Sequence, residues 1–204
     1  AYSGDDGIDA YCESSASNLD VTIQGNVIFG NRGSGINIST DNGTSVQRGY
    51  VITGNIIHSN GLHGVNLQQA NYCTVTGNSI YDNSTTNPGG YCGIYGYHLL
   101  NSTITGNTIY QSAGVQNGII MDALPVNVRI TDNTVSSTSI PYSLNNPSNN
   151  NYFITYKGSA APTTGTYEVG DIVYNSAPTS GGYIGWVCVN NAGSGTWKTF
   201  GLIS

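Results

Sequence analysis

Two short words recur in this chain at one common interval, and that interval constrains the fold more than any other property of the sequence. The first reads apolar-x-apolar-Thr-Gly-Asn-x-apolar, with small variations. It occurs as VTIQGNVI (21–28), YVITGNII (50–57), CTVTGNSI (73–80), STITGNTI (102–109) and VRITDNTV (128–135). Its asparagines, Asn26, Asn55, Asn78, Asn107 and Asn133, step by 29, 23, 29 and 26 residues. The second word is a glycine opening a short alternating segment: GIDAY (7–11), GINIS (35–39), GVNLQ (64–68), GIYGY (93–97) and GIIMD (118–122). Its glycines step by 28, 29, 29 and 25. Two independent words that keep one period of this size indicate a stacked solenoid.

Residue chemistry selects the kind of solenoid. Ala, Leu, Glu and Lys are scarce, so helical repeats and coiled coils are excluded. The repeated apolar positions are Ile and Val, and a leucine ladder is missing. Each repeat holds short runs of period-2 alternation separated by Gly, Asn and Ser, which predicts three strands and three turns. The expected fold is all-β: a parallel β-helix of about five coils, each coil lying on the next at ~4.8 Å. One inward column is Ile23, Ile52, Val75, Ile104 and Ile130; the next is Ile28, Ile57, Ile80, Ile109 and Val135. The repeated asparagines are expected to turn the chain through left-handed backbone geometry and to hydrogen-bond from coil to coil. Asn31, Asn60 and Asn83 predict a second ladder.

Charge narrows the partners. Only 5 Lys+Arg and 11 Asp+Glu occur in 204 residues, giving a net charge of −6. Nucleic-acid phosphate is therefore not an expected partner, and Arg32, Arg48, Arg129, Lys157 and Lys198 form no patch. With 15 Tyr, 2 Trp and 3 Phe the chain is too aromatic for a disordered one. No apolar run approaches the ~18–20 residues of a membrane span, so no membrane insertion is expected. Cys12, Cys73, Cys92 and Cys188 lack zinc spacing and sit among apolar or aromatic neighbours, as small buried hydrophobes do.

The pattern fails after Val135. Residues 1–140 are expected to form the β-helix, 141–151 a linker or closing turn, and 152–204 a small antiparallel β module. Trp186, Trp197 and Phe200 are core candidates of that module. At about 50 residues it is marginal alone and should lean on the β-helix or on sister chains.

Strand alternation predicts which side chains of the glycine-led strands face outward. One column is Asp9, Asn37, Asn66, Tyr95 and Ile120. The next is Tyr11, Ser39, Gln68, Tyr97 and Asp122. A third is Glu13, Asp41, Ala70 and Leu99. Such carboxylates, amides and tyrosines suit a glycan, because polar groups hold hydroxyls and flat rings pack on sugar C–H faces; a solvated sheet face has the same composition. Asn37, Asn66, Gln68, Tyr11, Tyr95, Tyr97 and Asp122 are the candidate binding residues. Glu13 and Asp41 share a column on adjacent coils, ~5 Å apart, a spacing that suits a retaining glycosidase pair. Asp9 is a further acidic candidate, although it lies ~13 Å from Glu13 along the strand. Asp5, Asp6 and Asp9 offer hard oxygens for calcium, but a turn followed by an exposed strand residue accounts for them equally, and no cofactor is expected. His63, in the turn before Gly64, is read as solvated.

Over residues 1–140 the TGN-x-I words resemble the right-handed, pectate-lyase-like β-helix superfamily. That group includes polysaccharide lyases, glycoside hydrolases, C5-epimerases and phage tailspikes, so the words mark architecture rather than chemistry. GDDGID (4–9) is similar to acidic pairs of some β-helix hydrolases and lyases, but it lacks their flanking His and basic residues. In the tail, GDIVYNSAP (170–178), GGYIGWVCV (181–189) and GTWKTFG (195–201) resemble a module found at the C-terminus of phage tailspike and tail-fibre proteins. This resemblance implies a virion or extracellular protein, a homotrimer, that grips or cuts bacterial surface polysaccharide, by glycosidase chemistry more than lyase chemistry. A non-catalytic trimerising stem and a secreted pectin- or alginate-active enzyme are the alternatives. A strand word opens the chain almost at once, so an upstream part, or a cover for the first coil, is expected, and the main active site could lie there.

Overall fold

The structure is a computed structural model that describes residues 5–12, 17–40, 46–110, 117–123, 125–136, 140–144, 153–165 and 167–204. The chain winds in coils. The first contains β1 (Ile8–Cys12), β2 (Ser17–Leu19), β3 (Thr22–Gln24) and β4 (Val27–Phe29). The second contains β5 (Ile36–Thr40), β6 (Val46–Arg48), β7 (Val51–Thr53) and β8 (Ile56–His58). The third contains β9 (Val65–Gln68), β10 (Ala70–Asn71), β11 (Thr74–Thr76) and β12 (Ser79–Tyr81). The fourth has β13 (Cys92–Tyr97), β14 (Thr103–Thr105) and β15 (Thr108–Tyr110), and the fifth β16 (Asn117–Asp122), β17 (Arg129–Thr131) and β18 (Thr134–Ser136). Then come β19 (Tyr142–Leu144), β20 (Phe153–Gly158), β21 (Ile172–Asn175), β22 (Tyr183–Asn190) and β23 (Thr196–Leu202).

Corresponding strands of successive coils pair in parallel, as the period requires. Sheet A runs β1-β5-β9-β13-β16-β19, sheet C includes β3-β7-β11-β14-β17-β20, and sheet D runs β4-β8-β12-β15-β18. A short sheet B, β2-β6-β10, adds a fourth side that three strands per coil did not anticipate. Among the described residues every regular element is a strand, and no helix is long and apolar enough to cross a membrane.

The three-residue strands of sheets C and D each point one side chain inward. Ile52, Val75, Ile104 and Ile130 are fully buried in register, as are Ile57, Ile80 and Ile109. Burying each such side chain contributes about 1.5–3 kcal/mol. In sheet A, Gly96 stands where neighbouring coils carry Leu67 and Met121, and a Cβ there would meet Met121 Sδ at 2.6 Å. Met121 thus fills the space that Gly96 vacates.

Both asparagine ladders form. Asn55 Nδ2 donates to Asn78 Oδ1 at 3.0 Å, Asn78 Nδ2 to Asn107 Oδ1 at 2.9 Å, and Asn107 Nδ2 to Asn133 Oδ1 at 2.9 Å. Asn31, Asn60 and Asn83 repeat the pattern, both bonds at 2.8 Å. The turn itself is made differently from the expectation. The left-handed residue is the one before each ladder asparagine: Gly25, Gly54, Gly77, Gly106 and Asp132 in the first ladder, and Gly30, Ser59 and Asp82 in the second. A Cβ at Gly25, Gly54 or Gly77 would meet only open space, whereas the asparagine must keep its amide pointed along the stack.

The stack continues beyond the point where the sequence words fail. β19 pairs with β16, and β20 pairs with β17 with Ile130 opposite Ile154. The C-terminal unit is mixed rather than purely antiparallel: β21 lies parallel to β20, and only β22 and β23 run antiparallel. It extends sheet C, so residues 153–158, read in the sequence as the start of the small module, are a rung of the helix. Tyr167, Val173 and Cys188 are its buried apolar residues, and Trp197 meets Tyr167 edge-on at 5.0 Å. All four cysteines are free and buried.

Candidate functional site

Sheet A presents the densest arrangement of side chains able to bind a ligand. Its registers place Asp9 beside Asn37, Asn37 beside Asn66, Asn66 beside Tyr95 and Tyr95 beside Ile120. Residues from five coils therefore form one column. In the next column Tyr11 adjoins Ser39, and Tyr97 adjoins both Gln68 and Asp122.

Hydrogen bonds make the upper column continuous. Asn66 Nδ2 donates to Asn37 Oδ1 at 2.6 Å, and Asn37 Nδ2 donates to Asp9 Oδ1 at 3.0 Å and to Ser39 Oγ at 3.1 Å. Gln68 Nε2 reaches Asn66 Oδ1 at 3.5 Å. Ser39 and Asn66 are buried as a result, although both point to the outer side of the sheet. Asp9 and Tyr11 are exposed, and Asn37, Gln68, Tyr95, Tyr97 and Asp122 are half-buried.

The lower part of the face is aromatic. His63 stacks on Tyr95 with ring centroids 4.7 Å apart and meets Tyr91 edge-on at 5.0 Å. The reading of His63 as solvated is thus overturned: its partners come from the following coil, 28 and 32 residues further on. Cys92 N–H donates to its Nδ1 at 3.2 Å, which assigns the ring proton to Nε2. Burial holds the imidazole neutral, its pKa lowered to about 4. Tyr95 Oη donates to Asp122 Oδ2 at 3.4 Å, and Asp122 Oδ1 accepts the Ala123 N–H at 2.8 Å. Desolvation, reinforced by the Asp122 charge, pushes the Tyr95 phenol up to about 12. A phenol so held is a hydrogen-bond donor and a poor base.

The candidate acids separate into two groups. Glu13 and Asp41 lie outside the described residues. The other members of their expected outward column, Ala70 and Leu99, are fully buried. Alternation ends before them because Gln69 and His98 take left-handed φ values of 55° and 49°, which turn the chain inward. Asp9 and Asp122 lie at opposite ends of the face, four rungs apart, or ~19 Å. Asp6 accepts the Ser34 N–H, and burial raises its pKa. No group of three His, Cys, Asp or Glu among the described residues is arranged to hold a metal ion.

Sheet D carries the other aromatic array, Phe29, His58 and Tyr81. Their rings stack face to face at 5.2 and 4.7 Å, with planes within 2°. The rings cover one another's faces, so His58, between the other two, offers no platform for a sugar. Sequence reasoning missed His63 and Tyr91. The signal was present: Ser34, His63 and Cys92 each precede a column glycine and so form a stack of their own.

A family model described as "Right handed beta helix region" matches residues 2–177. A search of curated proteins finds no match. Among solved structures, the A-module of the mannuronan C-5 epimerase AlgE4 from Azotobacter vinelandii is similar, with a TM-score of 0.54 and 20% identity. The similarity covers 70% of this chain and 46% of that one, so the chain spans less than half of that structure.

Proposed function

Because the chain belongs to the right-handed β-helix family, we propose that its sheet A binds an extended polysaccharide lying along the stack, across β5, β9 and β13. The observation that carries this reading is the in-register polar column Asp9–Asn37–Asn66, which passes into the Tyr95–His63 aromatic pair. A chain of similar sugars meets a series of similar rungs, each offering amides or a carboxylate for hydroxyls, with Tyr11 and Tyr97 flanking. The similarity in fold to a mannuronan epimerase module is consistent with a polysaccharide ligand.

The wider role we propose is that of a phage tailspike-type protein, homotrimeric and acting outside the bacterial cell. The tail words support it. So do the exposed Tyr174, Tyr183 and Leu202 of the C-terminal unit, which register on one side of its sheet as an apolar surface suited to sister chains. Depolymerisation rests on Glu13 and Asp41. Within sheet A, by contrast, the Nδ1 lone pair of His63 is occupied by the Cys92 N–H and the Tyr95 hydroxyl is held by Asp122, so neither is placed to abstract a proton from a ligand.

Affinity electrophoresis of the wild type and of Tyr95→Ala against a panel of bacterial polysaccharides tests the reading. Retention by one glycan, lost on substitution while the fold persists, is the expected result. Unchanged retention would move the ligand off this face. Reducing-sugar release that survives both Glu13→Gln and Asp41→Asn would exclude that acid pair, and light scattering showing a monomer would exclude the trimer.

A further inference from the structure

We infer that the glycan bound on sheet A lacks uronate or other acidic groups, an inference that rests on sheet A being the glycan face. All five Lys and Arg residues of the chain lie among the described residues, and none is on a strand of sheet A. Arg32 lies in the turn that enters β5, one coil on from Asp5 and Asp6 and so at the edge of the face, while Arg48 is on β6 of sheet B, Arg129 and Lys157 are on sheet C, and Lys198 is on β23. The charged side chains of the sheet A strands are Asp9 at one end and Asp122 at the other, with Asp5 and Asp6 just upstream of β1. Glu13 and Asp41, the charged residues outside the described set, are themselves acids.

The remaining titratable groups of the face do not supply a positive charge. His63 is neutral and offers one N–H donor, and Tyr95 keeps its proton. A polyuronate carries a carboxylate on every sugar, so wherever it settled some of its charges would come within a Debye length of Asp9 or Asp122, ~10 Å at 0.1 M salt. Sites for carboxylated ligands ordinarily supply Arg or Lys to meet those charges. Sheet A instead supplies amides, phenols and two carboxylates, which accept and donate to neutral hydroxyls. The ligand class therefore differs from mannuronan, the polyuronate for which the similar epimerase is named.

The test compares retention of the full chain by neutral mannan, by other neutral hexose polymers and by mannuronan, in low and high NaCl, for wild type and for Asp9→Asn/Asp122→Asn. The expected result is binding to a neutral polymer that is insensitive to salt. Mannuronan should bind at least about 10-fold more weakly, gaining with salt and with the double substitution. Mannuronan bound more tightly than any neutral polymer, and best at low salt, would overturn the inference while leaving sheet A as the glycan face. Retention by any of these polymers that Tyr95→Ala leaves unchanged would remove the glycan face itself and this inference with it.

Discussion

Asn55 and Asn78 stand 23 residues apart in sequence and share one amide oxygen: Asn78 Oδ1 accepts both the backbone N–H and the side-chain Nδ2–H of Asn55, each at 3.0 Å. Asn78 Nδ2 in turn donates to the Ile52 carbonyl at 2.9 Å, on the same coil as Asn55, and to Asn107 Oδ1 at 2.9 Å on the following coil. Each ladder asparagine thus satisfies donors of one neighbouring coil while its own amide bonds the other, so the ladder pins coil to coil.

Substituting Asn78→Ala should therefore strand two buried donors of Asn55. Each unsatisfied buried donor costs about 1–3 kcal/mol, so a loss of about 2–6 kcal/mol is expected in urea unfolding. Asn26→Ala, at the exposed first position of the ladder, should cost about 1 kcal/mol or less. Equal losses at the two sites would contradict a ladder whose weight lies in burial.

Two kinds of glycine should respond differently to alanine. A Cβ on Gly64 would meet Ile80 Cγ2 at 2.5 Å and the Gly93 carbonyl oxygen at 2.7 Å, so Gly64→Ala must push adjacent coils apart, at about 3 kcal/mol or more. Gly54 has open space around its Cβ position but a φ of +63°, so Gly54→Ala should cost only the left-handed backbone penalty, about 1–2 kcal/mol. Thermal unfolding of both variants checks the order, and a milder effect at Gly64 would refute the close coil contact.

Acid should weaken the fold through His63. Its pKa is lowered from 6.5 to about 4 by burial against the Tyr95 and Tyr91 rings. Between those pH values the unfolded chain binds the proton and the folded chain does not, so stability is full above about 6.5 and falls as the pH drops toward 4, by about 3 kcal/mol across the window. His63→Gln should flatten that part of the profile. Urea unfolding at pH 7.5 and 4.5 that shows the same acid loss in both proteins would mean that His63 is solvated after all.

Much of this architecture was readable from spacing, because a β-helix places residues one period apart side by side. The glycine words and the Ile and Val columns needed only that rule. What spacing could not supply were the deviations from it. Gln69 and His98 break the alternation with left-handed turns, which is why Ala70 and Leu99 turn inward. His63 looked solvated because Tyr91 and Tyr95, which cover it, belong to the next coil's loop and strand. β20 escaped notice because it keeps the backbone register of sheet C without the TGN word that marked earlier rungs. The face columns of Asp9, Asn37, Asn66 and Tyr95 were placed correctly, since strand alternation holds throughout their segments.

The most direct test is a crystal structure of the protein with an oligosaccharide cut from whichever polymer retains it. Sugar rings should lie across β5, β9 and β13, within hydrogen-bonding distance of Asn37 and the Tyr95 hydroxyl, with the oligosaccharide axis running from coil to coil. Ordered sugar on sheet C, on sheet D or on the C-terminal strands, with sheet A bare, would contradict the account.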